Sequence, residues 1–231
     1  MEQLALPGLT LADATRFEDF WPGPNVATLA ALERLADGAR ESVAFVHGPP
    51  VSGKTHLLKA AWRRARERGV RAGYLPLDEA AMLDPELVEG WGGLDFVTLD
   101  ALEKIAGFDA WERALFRMAE ALRERGSTLV VAGRLPPDRI GLELPDLASR
   151  LAWGPVYALQ PLDDQGLVAL AIHLARVRGL DLPESAAAWL CKRVTRDPAS
   201  VTDAVERLDH AALAAQRRLT IPFLREVLLD T

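Results

Sequence analysis

Cysteine is nearly absent from this chain. Among 231 residues there is one, Cys191, so no intramolecular disulfide can brace the fold, and nothing in the pattern suggests a metal cluster. With apolar neighbours over 186–191, Cys191 is expected as an inert core thiol in a reducing compartment. Basic charge is also in deficit: 27 Lys and Arg against 33 Asp and Glu leave a formal charge of -6. That balance argues against nucleic-acid phosphate as the main partner, while a local basic patch remains compatible with it. Long apolar runs are missing as well, since none approaches the roughly 20 residues that span a bilayer. The first residues include Glu2 and form no basic leader, so the expectation is a cytoplasmic chain without a membrane partner. There is no internal repeat and no low-complexity segment. The six tryptophans show no spacing suited to stacking bases and are read mostly as core. This length accommodates one sizeable core, or a core plus a small satellite, but not separate catalytic and DNA-reading domains.

What is present is a phosphate-binding pattern. Residues Gly48, Pro49, Pro50, Val51, Ser52, Gly53, Lys54 and Thr55 form a complete GxxxxGK[ST] loop, preceded by an apolar run over 42–46 and followed by a helical pattern. A loop rich in Gly and Pro leaves backbone N–H groups to point at phosphate oxygens, and the helix beginning near Lys54 adds the positive end of its dipole. Lys54 is expected to reach the outer phosphates and Thr55 to ligand Mg2+, with His56 next in the helix. A later apolar run, Phe96 to Leu99, closes on Asp100 as in a Walker B element, which would face the same Mg2+ from a strand's carboxyl end.

The remaining pattern is α/β. Strands are expected at 42–46, 71–76, 94–99, 127–132 and 156–159. Helices are expected at 26–39 (with Asn25 as cap), 54–68 and 110–125, and near Pro145. Short apolar runs alternating with amphipathic helices imply a parallel sheet covered on both faces. Beyond Pro161 the strand pattern ceases, and helices at 163–178, 183–194, 198–216 and 222–229 imply a small helical lid.

A phosphate loop, an Asp-ending third strand and a helical lid together resemble the AAA+ ATPases, and three segments resemble the DnaA-like family within them. Phe17-Glu18-Asp19-Phe20, followed by Gly23 and Asn25, is similar to its adenine-side box. Residues 145–154, PDLASRLAWG, are similar to its arginine-finger box, and 219–223, LTIPF, to the segment closing its lid. The resemblance runs to Thr231, where DnaA would continue into a DNA-reading domain; in this the pattern resembles the Hda branch, the regulators of DnaA. Gln3, Leu4, Ala5, Leu6 and Pro7 resemble the short peptide with which such proteins bind the polymerase sliding clamp (β subunit). The expected division is a clamp-binding peptide over 1–12, an AAA+ base over 13–161 and a helical lid over 162–231.

Departures from the family pattern carry the mechanistic expectation. The acid that normally follows the Walker B Asp and orients the attacking water is replaced by Ala101, and a methyl group cannot accept a proton. The fourth strand ends in Gly133 and Arg134 where a sensor is expected, with Arg134 read as solvent-facing. Aligned through Thr220, Ala199 replaces the lid arginine, so the lid offers the phosphates no obvious charge. Efficient autonomous ATP hydrolysis is therefore not expected, and ADP, or ATP, with Mg2+ is expected as a structural ligand contacting Phe20 and Asn25 as well as the loop. The resemblance gives Arg150 the role of an arginine finger acting in trans on the ATP held by DnaA, with Trp153 supporting its loop. The implied role is negative regulation of replication initiation, with DnaA and the DNA-loaded clamp as partners, duplex DNA bound weakly or through the clamp, and a second copy of the chain as a further candidate. Arg63, Arg64, Arg66 and Arg68 are read as a solvated face, and His47 as a packed residue. Two other readings stay open at this point: an autonomous AAA+ ATPase such as a helicase loader, and a clamp adaptor without catalytic input.

Overall fold

The computed structural model describes residues 15–39 and 42–229, so the segment containing Gln3 to Pro7 lies outside the described residues. The order of regular elements is α1 (Val26–Ala36), β1 (Val43–His47), α2 (Lys54–Glu67), β2 (Ala72–Pro76), α3 (Glu86–Glu89), β3 (Phe96–Asp100), α4 (Asp109–Glu124), β4 (Thr128–Gly133), α5 (Pro145–Leu151), β5 (Val156–Ala158), α6 (Asp164–Val177), α7 (Glu184–Cys191), α8 (Pro198–Ala215) and α9 (Ile221–Leu229). The five strands form one sheet in the order β2-β3-β4-β1-β5, with every pairing parallel.

Alternation along the strands sends side chains to opposite faces, and each face has its own helices. Val43 and Phe45 join Val97, Leu99, Leu129 and Val131 under α4 and α5. Ala44 and Val46 join Phe96, Val130 and Ala132 under α1 and α2. The central strands β3 and β4 are buried at every residue, which accounts for their continuous apolar runs, while the three-residue edge strand β5 is largely open. A third cluster, built on Leu174, Leu190, Val201, Leu208 and Leu224, holds the four lid helices together.

Local chemistry sets the boundaries. α1 stops at Ala36, short of the expected 39, because Gly38 turns the chain at φ +100. β1 to β4 each begin later than expected, by one or two residues; for β3 the reason is that Leu94 closes the 3-10 turn Gly90–Gly93. In the lid, Asp163 and Asp197 accept the N–H groups of Gly166 (2.7 Å) and Ser200 (2.8 Å), capping α6 and α8. Asn25 sits at the cap position of α1 yet makes no cap bond there. Its amide instead clasps the backbone of Gln160: Nδ2 donates to the carbonyl at 2.9 Å and Oδ1 accepts the N–H at 2.8 Å.

Candidate functional site

In open parallel sheets, ligands bind at the carboxyl ends of the strands, and the sequence-derived residues converge there. β1 ends at His47 and delivers the phosphate loop, β3 ends at Asp100, and β4 ends at Gly133. Gly53 takes φ +93 to start α2, and a Cβ there would lie 2.7 Å from the Phe20 ring, so the adenine-side box packs directly onto the loop. Val51 also has positive φ (60°), a strained conformation for a β-branched residue and typical of a loop shaped for a ligand. The first N–H groups of α2 have no intrahelical partner, leaving an anion site at the helix start.

The loop side chains fit a polyphosphate. Lys54 Nζ donates to the carbonyls of Gly48 and Pro49, both at 2.8 Å, and so lies over the loop. Burial lowers its pKa, while Glu103 and Asp100 pull the other way. Ser52 Oγ is buried with no hydrogen-bond partner among the described residues, a donor that a phosphate oxygen would satisfy. Thr55 Oγ1 donates to Asp100 Oδ2 at 2.5 Å, bringing the two expected Mg2+ ligands into contact. Asp100 also accepts from Tyr74 Oη (3.3 Å) and the Ala101 N–H (2.9 Å), and burial raises its pKa against those bonds. Among the described residues no group of three His, Cys, Asp or Glu could hold a metal, so the candidate donors are this hydroxyl and carboxylate, a set suited to Mg2+ shared with phosphate oxygens.

Beside the loop opens a cleft of about 380 Å³ between base and lid, lined by Phe20, Asn25, Ser52 and His56 from the base and by Arg178 and Glu206 from the lid. His56 stands against Phe20 with ring centroids 5.7 Å apart. Arg178 and Glu206 are charged lid residues on the cleft wall, and Arg178 Nη1 donates to the Leu174 carbonyl at 3.2 Å. His47 is half-buried and its pKa is lowered by burial and by Arg139, which keeps it neutral near pH 7. Arg134 is exposed as expected, but not free: its Nε lies 3.1 Å from Glu103, which also accepts its backbone N–H at 3.1 Å.

Arg150 lies elsewhere. In the last turn of α5 its Nη2 donates to Glu120 Oε2 at 2.8 Å, and its guanidinium stacks 3.9 Å from the centre of the Trp153 ring. It lines a second cleft with Ser42 and Val43, at the start of β1. The arginines on α2 and at its C-cap are largely engaged: Arg64 with Asp37 at 2.6 Å, Arg68 with Asp37 at 3.5 Å, and Arg66 over the Trp62 ring.

Glu112 escaped the sequence reading. It is only 1% exposed, and its carboxylate accepts the N–H groups of Gly107 (2.7 Å), Glu143 (3.1 Å) and Leu144 (2.6 Å). It pins the loop after β3 to the segment that leads into α5.

A five-stranded parallel sheet with the phosphate loop after its β1 strand, an Asp-ending β3 and a four-helix lid defines an AAA+ P-loop module. Residues 163–228 match the family model described as the Hda lid domain. Domain III of the replication initiation protein DnaA from Thermotoga maritima is 21% identical, with a TM-score of 0.74 over 96% of this chain and 98% of that one. AMPPCP-bound DnaA from Aquifex aeolicus is 20% identical, with a TM-score of 0.73 over 85% of this chain and 65% of that one. A Thermotoga maritima RuvB variant is 16% identical, with a TM-score of 0.65 over 93% of this chain and 71% of that one. The chain shares the AAA+ fold of these proteins, and its lid segment matches the Hda lid model. No described helix is long and apolar enough to cross a membrane.

Proposed function

We propose that this chain is a nucleotide-bound regulator of replication initiation that docks on ATP-loaded DnaA and supplies Arg150 to the initiator's site. The observation that carries the reading is where Arg150 lies relative to β1. Its cleft borders Ser42 and Val43 at the start of that strand, whereas the phosphate loop leaves the other end at Gly48. Five residues of strand put about 16 Å between those ends, so Arg150 stands on the opposite rim of the sheet from its own loop. An arginine there serves a phosphate bound to another subunit.

The chain's own site favours holding a nucleotide over hydrolysing it. Gly48 to Thr55, with His56, Phe20 and Asn25, supplies binding groups, and Mg2+ on Thr55 and Asp100 would neutralise phosphate charge. At the place of the water-orienting acid stands Ala101, and the nearby carboxylate of Glu103 is engaged by Arg134. Binding therefore lacks the groups that act only in the transition state. The family resemblance favours ADP as the resting ligand, which would set the angle between base and lid. Arg150, planar and permanently charged, would stabilise charge on the phosphoryl group transferred in DnaA; a finger supplied in trans is worth about 10³ to 10⁵ in rate. Gln3 to Pro7 would tether the complex to the clamp in the cytoplasm. Direct duplex binding is weak on this reading, because the α2 arginines already hold carboxylates and an aromatic ring.

The test follows ATP conversion on purified DnaA with clamp-loaded DNA and ADP, comparing wild type with Arg150→Ala. Acceleration by wild type and its loss in the variant are expected, with nucleotide binding by the variant unchanged. Turnover by the isolated chain, abolished by Lys54→Ala, would instead establish an autonomous ATPase. Clamp binding with no effect of Arg150→Ala would leave an adaptor.

A further inference from the structure

We propose that Glu120 is the positioning residue for Arg150: it takes one edge of the guanidinium and leaves the other turned to the partner's phosphate. The inference rests on the trans-acting reading above and adds to it the residue that sets the finger's pose.

Phe116, Glu120 and Arg123 stand at i, i+4 and i+7 on α4 and share one helix face. Arg150 crosses that face. Its Nη2 donates to Glu120 Oε2 at 2.8 Å, and its Nε lies 2.5 Å from Oε1 as an ion-pair contact without a hydrogen bond, so the carboxylate faces the Nε/Nη2 side. Trp153 covers one face of the guanidinium at 3.9 Å, and the Phe116 ring lies 5.8 Å away. Arg123 stands over the same tryptophan at 5.5 Å, and its Nε is 3.4 Å from Glu120 Oε1. The Arg150 side chain keeps only 20% of its exposure, although Trp153 beside it is 59% exposed.

A guanidinium has five N–H donors in one plane, and Glu120 takes up its Nε/Nη2 side with one hydrogen bond and one ion-pair contact. Among the described residues Nη1 makes no hydrogen bond, so the Nη1/Nη2 edge remains for a pair of phosphate oxygens. The cleft of about 300 Å³ that Arg150, Arg123 and Trp153 line gives a docked partner room beside that plane. A long side chain held by a carboxylate and an aromatic ring has already lost the rotamer freedom that docking would otherwise remove. Glu120 thereby contributes to the stimulated rate without touching the nucleotide.

The experiment measures ATP hydrolysis by DnaA on clamp-loaded DNA while the full-length chain is titrated as wild type, Glu120→Gln, Glu120→Ala, Arg150→Ala and the Glu120→Ala/Arg150→Ala double variant. The maximal stimulated rate is expected to fall roughly three- to tenfold in Glu120→Gln and roughly ten- to a hundredfold in Glu120→Ala, since a misplacement of about 1 Å can cost about 10²-fold. The concentration giving half-maximal stimulation stays within about twofold, and Glu120→Ala adds nothing once Arg150 is gone. Equal or faster maximal rates in both Glu120 variants would overturn the inference, as would a loss confined to half-saturation or one that persists on top of Arg150→Ala. If Arg150→Ala alone leaves the stimulation intact, the trans-acting reading fails and this inference with it. Should Glu120→Ala melt early, the isosteric Glu120→Gln decides.

Discussion

Removing the Glu112 carboxylate is expected to loosen the route from β3 to α5 more than any other single change on α4. Three backbone N–H groups, those of Gly107, Glu143 and Leu144, end on its two oxygens. A buried donor stripped of its partner costs about 1–3 kcal/mol, so three give about 3–9 kcal/mol before relaxation. Two effects place the result near the low end. All three bonds are only part-buried, so water can enter, and the substitution also relieves the desolvation of a carboxylate. We expect about 3 kcal/mol for Glu112→Ala and about 2 kcal/mol for Glu112→Gln, whose amide turns a donor toward at least one N–H. Urea denaturation gives the global value, and hydrogen exchange at residues 107, 143 and 144 gives the local one, with faster exchange at those three amides. A Glu112→Ala protein within about 0.5 kcal/mol of wild type, the range of an ordinary surface substitution, would refute the reasoning.

Two further outcomes follow from the geometry. Gly53→Ala places a methyl 2.7 Å from the Phe20 ring at a φ of +93, so it should displace the ring and weaken binding of a fluorescent adenine nucleotide at least tenfold, about 1.4 kcal/mol; unchanged affinity would show that Phe20 does not close the site. The Asp37 carboxyl is held below its usual range, chiefly by the hydrogen bond from Arg64. A depressed folded value means that its stabilisation is complete above the unfolded pKa of about 3.9 and is lost as pH falls through the folded value. Asp37→Asn should therefore melt lower than wild type at neutral pH, by an amount worth under about 1 kcal/mol for so exposed a pair, and the gap should close in acid.

Residues whose role depends on local chain geometry were legible in the sequence. The loop over 48–55 is shaped by backbone conformation and a helix start, and the β3 run announces itself by its apolar length, so the chain order alone brings the loop and Asp100 to the same end of the sheet. Partners distant in sequence were not legible. Asn25 was read as a helix cap because that is the residue's commonest local use, yet its amide serves a backbone 135 residues away. Glu112 resembled one more acid in the first turn of an amphipathic helix, and only the return of residues 143–144 reveals two of its three donors. Arg150 was singled out by the resemblance of its box, whereas Glu120 carries no local signal, because the contact depends on how α5 crosses α4.

The Asn25–Gln160 clasp has a mechanical consequence. Residue 25 opens the first helix of the base and residue 160 follows its last strand, so two short hydrogen bonds close a ring of 135 residues just before the chain enters the lid. The cost of closing so long a ring grows only with the logarithm of its length and is already met by the sheet, which leaves the clasp to fix where the ring ends. The lid therefore joins the base at a point that is stapled to the frame, directly after β5. Because Asn25 also lines the cleft, a ligand resting there would touch the staple that fixes where the lid begins.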